Sequence, residues 1–323
     1  MTVVPVIVLF SRRLVLLDAH DRRRASEQGT TVVSKPLVAR IKARIPKPVK
    51  EAVLSAKRLP RLMTSHRRVL PDYIIFGAMR CGTSSLYHNL TDHPQVLQAF
   101  RKQLRFFDRE FQRGLEWYRA HFPLQSAMER IQREAGGAFT GEASPEYIFH
   151  PLAPERISDT LPNVRLIALV RDPVERAWSH YKHAVRIEVE SLPFEEALKR
   201  EDERLAGQLE RMRSDESCDR TYQDFSYISQ GIYAEHLQAW FEHFPREQIM
   251  IVRSEDMFAE PQRVMSEVGA FIGLGEWTPD YRAFNRARPG DMPPEIRRRL
   301  TELFAPHNER LSELLGRDMA WDE

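Results

Sequence analysis

The sequence predicts an α/β fold with a mainly parallel central sheet flanked by helices, and three observations carry that prediction. The runs Leu166-Ile167-Ala168-Leu169-Val170 and Ile249-Met250-Ile251-Val252 are continuously apolar, as strands covered on both faces are. Strand-like and helix-like segments alternate along the chain, which argues for crossover connections between parallel neighbours. A glycine loop, Gly77-Ala78-Met79-Arg80-Cys81-Gly82, joins an apolar strand to a helical segment.

The elements follow in order. Residues 1–70 are expected to form a basic, partly disordered arm. Its apolar start, residues 3–10, is too short to span a bilayer and lacks the basic flank and cleavage site of a secretory signal. Residues 35–68 carry eleven Lys or Arg against Glu51 alone. They read as a solvated linker or as a stretch resting on an anionic membrane surface, with a short amphipathic helix near 48–59. The folded domain is expected over 71–323. Strands are expected at 73–76, near 95–99, at 138–141, 165–170 and 248–252. Helices are expected at 83–91, where Leu86 and Leu90 would pin the helix to the sheet, and at 110–121, 151–160, 173–189, 193–212, 230–243 and 260–272. Two more close the chain, at 293–304 and 306–315. Residues 213–228 are polar and weakly periodic and read as a long loop over one face.

The 323 residues suffice for one large α/β domain with an arm or for two small domains. A formal net charge of +2 is too balanced for general nucleic-acid binding. Two cysteines, Cys81 and Cys218, make no disulfide framework, and no window approaches eighteen apolar residues; a cytoplasmic location, with membrane contact only at the periphery through the basic arm, is the expectation. Cys81 lies inside the glycine loop, either as a reactive thiol or as a small filler.

The loop nearly spells G-x-x-x-x-G-K-[ST], the phosphate cradle of nucleoside triphosphatases. Thr83 stands where the lysine belongs, and Arg80 brings a cation into the loop instead. The second apolar strand ends Val170-Arg171-Asp172, and a cation there is wrong for a magnesium-holding acid. The ligand should carry a short anionic tail, need no metal, and offer a second phosphate to Arg171. Asp172 before Pro173 reads as an N-cap followed by the favoured first-turn proline. Arg171 then falls at the carboxyl edge of the sheet, where open α/β folds bind ligands, although a surface ion pair would also explain it.

These residues resemble the sulfotransferase family. Gly77-Ala78-Met79-Arg80-Cys81-Gly82-Thr83-Ser84-Ser85-Leu86 is similar to its 5′-phosphosulfate loop, and Arg171-Asp172-Pro173-Val174-Glu175-Arg176-Ala177-Trp178-Ser179 to its 3′-phosphate motif. His93-Pro94-Gln95-Val96, Phe106-Phe107-Asp108 and Gly141-Glu142-Ala143-Ser144-Pro145-Glu146-Tyr147 resemble its bacterial and Golgi glycan branch. The resemblance, over about 71–316, implies a P-loop-like three-layer fold. It implies transfer of a sulfuryl group from 3′-phosphoadenosine-5′-phosphosulfate to a hydroxyl of a carbohydrate, glycolipid or related acceptor, without metal. Arg80 would meet the charge developing on the leaving phosphate; Cys81, Gly82, Thr83 and Ser84 would line the 5′-phosphosulfate, and Arg171 and Ser179 the 3′-phosphate. Tyr233 would lie beside the nucleotide or simply in the core. Arg286 and Arg288 would close over the 3′-phosphate or stay solvated.

One position departs from the family. The stretch Lys102-Gln103-Leu104-Arg105-Phe106-Phe107-Asp108 has Gln103 where the glycan branch typically carries the general base glutamate. An amide cannot take up a proton at neutral pH, although it can hydrogen-bond a hydroxyl. Glu142, just past the strand at 138–141, is the next candidate for the base; it could equally orient the loop or pair with Arg80. Asp108, His180 and His183 are weaker candidates. A nucleotide-binding protein of the same fold that has lost transfer is the alternative reading.

Overall fold

The computed structural model describes residues 58–214, 220–284 and 292–321. The chain divides into two units, Met1–Pro60 and Arg61–Glu323. Nearly all of the first, with the amphipathic helix expected near 48–59, lies outside the described residues, as do Cys218, Arg286 and Arg288. Arg61 and Arg68, two of the basic residues counted toward the arm, donate hydrogen bonds to the carbonyls of Ala120 and Phe122 at 2.7–2.8 Å.

Four parallel strands form the sheet: β1 (Tyr73–Gly77), β2 (Gly141–Ala143), β3 (Arg165–Val170) and β4 (Ile249–Arg253), in spatial order β2-β1-β3-β4. Every residue of β1, and Leu166 to Val170 of β3, is buried, which is why these runs are apolar without alternation. Seven helices matter for the site: α1 (Thr83–Leu90), α2 (Ala153–Thr160), α3 (Pro173–Arg186), α4 (Tyr233–His243), α5 (Ser254–Ala259), α6 (Pro261–Ile272) and α7 (Pro294–Leu315). α1 packs on β1, β2 and α6, while α4 packs on α2 and α7. Trp240 of α4, fully buried, lies 4.1 Å from the Phe76 ring between centroids, and its indole N–H donates to the Ile148 carbonyl at 3.0 Å. An aromatic of that size, with its polar edge satisfied, anchors the helix to the sheet.

Several expectations need correction. Residues 95–99 form no strand: Val96 makes a single parallel bridge with Phe139. The ladder stops because side chains take its partners. Thr140 Oγ1 donates to the Leu97 carbonyl at 2.7 Å, and Asp72 Oδ2 accepts the Thr140 N–H at 2.7 Å. The neighbouring strand therefore begins at Gly141 rather than 138. The helix expected at 110–121 is broken by Gly114 (φ 76°), and only Leu115–Arg119 is α-helical. The one expected at 193–212 falls into Phe194–Lys199, Glu201–Leu205 and Gln208–Arg213. At its first break Glu201 turns inward, and its carboxylate accepts the backbone N–H groups of Ile228 and Ser229 at 2.8 Å each. Thr221–Phe225, expected as loop, is a short helix. Gln125–Ala135 is a helix that hydrophobic periodicity misses because none of its residues is buried. The two closing helices are one, running through Pro306, because Ile296, Leu300, Phe304, Asn308 and Leu311 form one continuous buried stripe.

Candidate active site

The donor edge is built from backbone. β1 ends at Gly77, and the Ala78 N–H donates to the Leu169 carbonyl at 2.7 Å, fastening the loop to β3. A Cβ on Gly77 would stand 2.6 Å from Ile148 Cδ1. Gly82 has φ 94°, and a Cβ there would meet Met257 Cε at 2.7 Å; both glycines are required by close approach. Arg80 also adopts a left-handed conformation, φ 71°, which disfavours a non-glycine residue by roughly 1–2 kcal/mol. The Cys81 carbonyl accepts from Ser254 Oγ of α5 at 2.6 Å. In α1 the first intrahelical bond runs from the Leu86 N–H to the Gly82 carbonyl, 3.1 Å, leaving the first-turn amides aimed outward where an anion is favoured.

Cations gather over this edge. Arg80 Nε donates to Ser179 Oγ at 3.2 Å, so the glycine loop meets the second motif directly. Burial, then the positive charges of Arg186 and Arg171, hold the Arg80 pKa below its ordinary value. Lys102 Nζ donates to Ser84 Oγ at 2.7 Å, and burial pushes its pKa down to about 8. Both cations rest on hydroxyls rather than carboxylates. Such an arrangement carries unneutralised positive charge and fits a polyanionic ligand.

Asp172 caps α3 as expected, its Oδ1 accepting the Val174 N–H at 2.9 Å, with Pro173 in the first turn. Arg171 pairs with Glu175 at 3.2 Å, and Glu175 also takes Arg297 at 2.5 Å. The Arg171–Glu175 pair is part-exposed, worth at most about 1 kcal/mol, and a phosphate could displace it. Tyr233 is buried, and its hydroxyl ties the two motifs together. It donates to the Arg171 carbonyl at 2.9 Å, accepts the Arg171 N–H at 3.3 Å, and lies 3.6 Å from Cys81 Sγ. Burial raises the Cys81 thiol pKa, so this cysteine is a buried filler with a raised pKa rather than an exposed thiolate.

Side chains from distant segments build the opposite wall. Glu142 is fully buried. Its Oε1 accepts from the Tyr118 and Tyr147 hydroxyls at 2.9 and 3.0 Å, and its Oε2 from Ser144 Oγ at 2.7 Å and the Leu104 N–H at 3.3 Å. Burial pushes its pKa up to about 7 against those four donors. Gln103 is part-exposed, and its amide nitrogen lies 2.7 and 2.6 Å from the two oxygens of Glu146. Gln223 Nε2 donates to Glu146 Oε1 at 3.2 Å, and Arg105 Nη1 stands 3.3 Å from the same oxygen. Arg105 is bound more closely by Asp108, at 2.5 Å from Nε, and burial pushes Asp108 up to about 6. His180 is buried, its pKa well below the ordinary value through burial and Arg176, and His183 is held near 4 by burial and Arg80.

The structure brings Arg80, Cys81, Gly82, Thr83 and Ser84 together with Ser179 and, through Tyr233, with the backbone of Arg171. Glu142 stands apart from Arg80 in its tyrosine cage. Lys102, Glu146, Gln223 and Ser254 are not singled out by sequence reasoning, since each acquires its meaning from a partner at least 18 residues away.

Comparison with known proteins agrees with this geometry. Residues 70–281 match the sulfotransferase domain family. The chain is 32% identical to heparan sulfate glucosamine 3-O-sulfotransferase 3A1 of Homo sapiens, over 82% of this chain and 65% of that protein. It is 28% identical to the membrane-associated sulfotransferase kil1 of Dictyostelium discoideum, over 78% of this chain and 66% of that protein. The matched stretch thus spans just under two thirds of these curated relatives. A crystal structure of a sulfotransferase from Alicyclobacillus acidocaldarius superposes with a TM-score of 0.59 at 31% identity, covering 79% of this chain and all of that one. The fold is a parallel α/β sheet flanked by helices, with a glycine loop and a helix start at its carboxyl edge. The chain belongs to the sulfotransferase domain family.

The expected cytoplasmic location is withdrawn on these findings, because the matching relatives include one that is membrane-associated by name. Among the described residues no helix is long and apolar enough to cross a membrane.

Proposed function

We propose that this protein transfers a sulfuryl group from 3′-phosphoadenosine-5′-phosphosulfate to a hydroxyl of a carbohydrate acceptor. The observation that supports this most is the convergence of Arg80 and Ser179, 3.2 Å apart, at the carboxyl edge of two neighbouring parallel strands. In this reading the first-turn amides of α1, with Thr83 and Ser84, hold the 5′-phosphosulfate. Arg171 and Ser179 hold the 3′-phosphate, and Tyr233 keeps Arg171 in register without touching the nucleotide. Arg80 turns from Ser179 to the bridging oxygen as charge develops there, a fixed donor where the transition state needs one. Lys102, on Ser84, adds a second cation to the same face. Glu142 holds the Tyr118, Tyr147 and Leu104 segment in place, and we assign it a positioning role. The carbohydrate class rests on the heparan sulfate relatives.

The second reading, a binding protein that has lost transfer, is favoured by Gln103 alone. Calorimetry and transfer assays separate the two. 3′,5′-Adenosine bisphosphate should bind in the micromolar range without magnesium, adenosine 5′-monophosphate much more weakly, and Arg171→Ala should lose roughly 1.5–3 kcal/mol of the former. Equal affinity for the two nucleotides would count decisively against the donor site. Binding without transfer from labelled donor to any of a panel of sugars would favour the second reading.

A further inference from the structure

We propose that Glu146 is the proton acceptor of the transfer step and that Gln103 is its positioning residue. The assignment rests on the transferase reading above and goes beyond it by supplying the base that Gln103 cannot be. Three observations carry it. First, the amide nitrogen of Gln103 is held 2.7 and 2.6 Å from the two Glu146 oxygens, so a carboxylate lies one side-chain contact from the position that, by resemblance, the base glutamate occupies. Second, the hydrogen-bond partners of that carboxylate are unequal. Oε1 faces Gln103, Gln223 and Arg105. Oε2 receives Gln103, and a carboxylate oxygen can accept a further donor, here the acceptor hydroxyl. Third, the neighbouring cation is shared between two carboxylates. Arg105 binds Asp108 at 2.5 Å and pairs with Glu146 at 3.3 Å, so Glu146 shares its cation with Asp108 and is held by the Gln103 and Gln223 amides as well.

Glu142, the other buried glutamate of the motif, is a poorer acceptor on geometry. Both glutamates are buried, but both oxygens of Glu142 already accept two donors each. Glu146 is itself buried, but its partner Gln103 is part-exposed, so a hydroxyl approaching at Gln103 comes within one side-chain contact of the carboxylate. The charges that face Glu146 are Arg105, Lys102 and Asp108. Lys102 bridges the two halves of the site, since its ammonium also reaches Ser84 on the donor helix.

The step balances as follows. A lone pair of the acceptor hydroxyl forms the new O–S bond. The bond from sulfur to the bridging oxygen breaks, and its electron pair leaves with the 5′-phosphate, facing Arg80. The hydroxyl proton passes to Glu146 Oε2 and from there to solvent.

The test is a carboxylate swap, read as release of 3′,5′-adenosine bisphosphate with a de-O-sulfated heparan sulfate oligosaccharide as the acceptor probe. Glu146→Gln should lower kcat on the order of 10²–10⁴-fold, remove the acidic limb of the pH profile, and leave affinity for the bisphosphate within threefold. The double variant Gln103→Glu with Glu146→Gln restores the pair with its polarity reversed; it should recover at least tenfold of the loss and regain an acidic limb. Glu146→Gln that keeps kcat within threefold overturns the assignment. So does a loss that leaves the acidic limb intact and is not rescued by the swap, since a purely structural pair would behave that way. Wild-type protein that binds donor but transfers to no acceptor sinks the transferase reading and this assignment with it; wild-type transfer with an unaffected Glu146→Gln sinks this assignment alone.

Discussion

The two walls of the site are built by different means. The donor wall is a strand end, a glycine loop and the first turn of a helix, all within residues 73–90, joined to a second strand end and helix start at 170–179. Its frame is set by backbone groups, the Ala78 N–H on Leu169 and the Leu86 N–H on Gly82, and by the Asp172 cap on Val174. The acceptor wall is a set of side-chain pairs that cross the chain: Gln103 with Glu146, Gln223 with Glu146, Arg105 with Gln223, Tyr118 with Glu142. Backbone devices demand particular residues at particular spacings, because only glycine fits a close approach and only a hydroxyl or carboxylate caps a helix. Side-chain pairs can be moved from one position to another without disturbing the fold. The first wall is therefore constrained by its backbone, while the second depends on side-chain partners distant in the chain, Gln103 and Glu146 among them.

The first way to break this contrast is at Arg80, where the largest effect is expected. Arg80→Met should lower kcat on the order of 10²–10³-fold, the loss seen when one fixed donor to a developing anion is removed, while affinity for 3′,5′-adenosine bisphosphate falls much less. Arg80→Lys should recover part of the rate, since it returns the charge without the planar fork. Saturating turnover that survives Arg80→Met would make Arg80 a ground-state anchor only. Single-turnover measurement with labelled donor separates the two outcomes.

This contrast also explains what was legible beforehand. The parallel sheet was readable from two apolar runs: β3 is buried on both faces, and β4 is buried at Ile249 and Val252 and half-buried between them. The turn of the glycine loop and the start of α3 were readable from Gly77, Gly82, Asp172 and Pro173, whose local backbone roles leave few alternatives. The strand near 95–99 was not, because Thr140 and Asp72 cut the ladder with side-chain bonds that no propensity encodes. The helix Gln125–Ala135 has few apolar residues, and Ala127, Met128 and Ile131 among them are only half-buried. Glu142, expected just past a strand, is instead the middle residue of β2, and its cage of Tyr118, Tyr147 and Ser144 is a tertiary fact. Glu146, four residues on, was hidden for the same reason.

The cage itself sharpens the comparison, through pH. In the fold, burial raises the Glu142 pKa from about 4.5 to about 7. The native state then binds more protons than the unfolded chain between those values. The stability that protonated Glu142 contributes is fully present below about 4.5 and is lost as pH rises through about 7. A shift of that size corresponds to about 3 kcal/mol. Glu142→Gln removes this titration, so urea unfolding should show the difference between wild type and variant drifting against wild type by that amount from pH 4.5 to 8. A difference that stays flat would mean that the four donors keep Glu142 ionised throughout, and that hydrogen bonding outweighs burial in the acceptor wall.

The smallest expected effect is at the hinge between the two donor motifs. Tyr233 contributes a single hydroxyl, which meets both the N–H and the carbonyl of Arg171 and approaches Cys81 Sγ. Its ring is buried and lies 5.9 Å from the Trp321 ring, so Tyr233→Phe should keep the packing and lose only the hydrogen bonds. Stability should fall by about 1 kcal/mol, the net worth of such a bond. If Tyr233 acts by holding Arg171 in register, affinity for 3′,5′-adenosine bisphosphate should fall about threefold, while affinity for adenosine 5′-monophosphate, which does not call on Arg171, should stay constant. Equal losses for both nucleotides would mean that the ring touches the nucleoside itself. Unchanged affinity for both would make Tyr233 a core residue, and the two motifs would then be held together by the Arg80–Ser179 bond and the Ala78–Leu169 backbone bond.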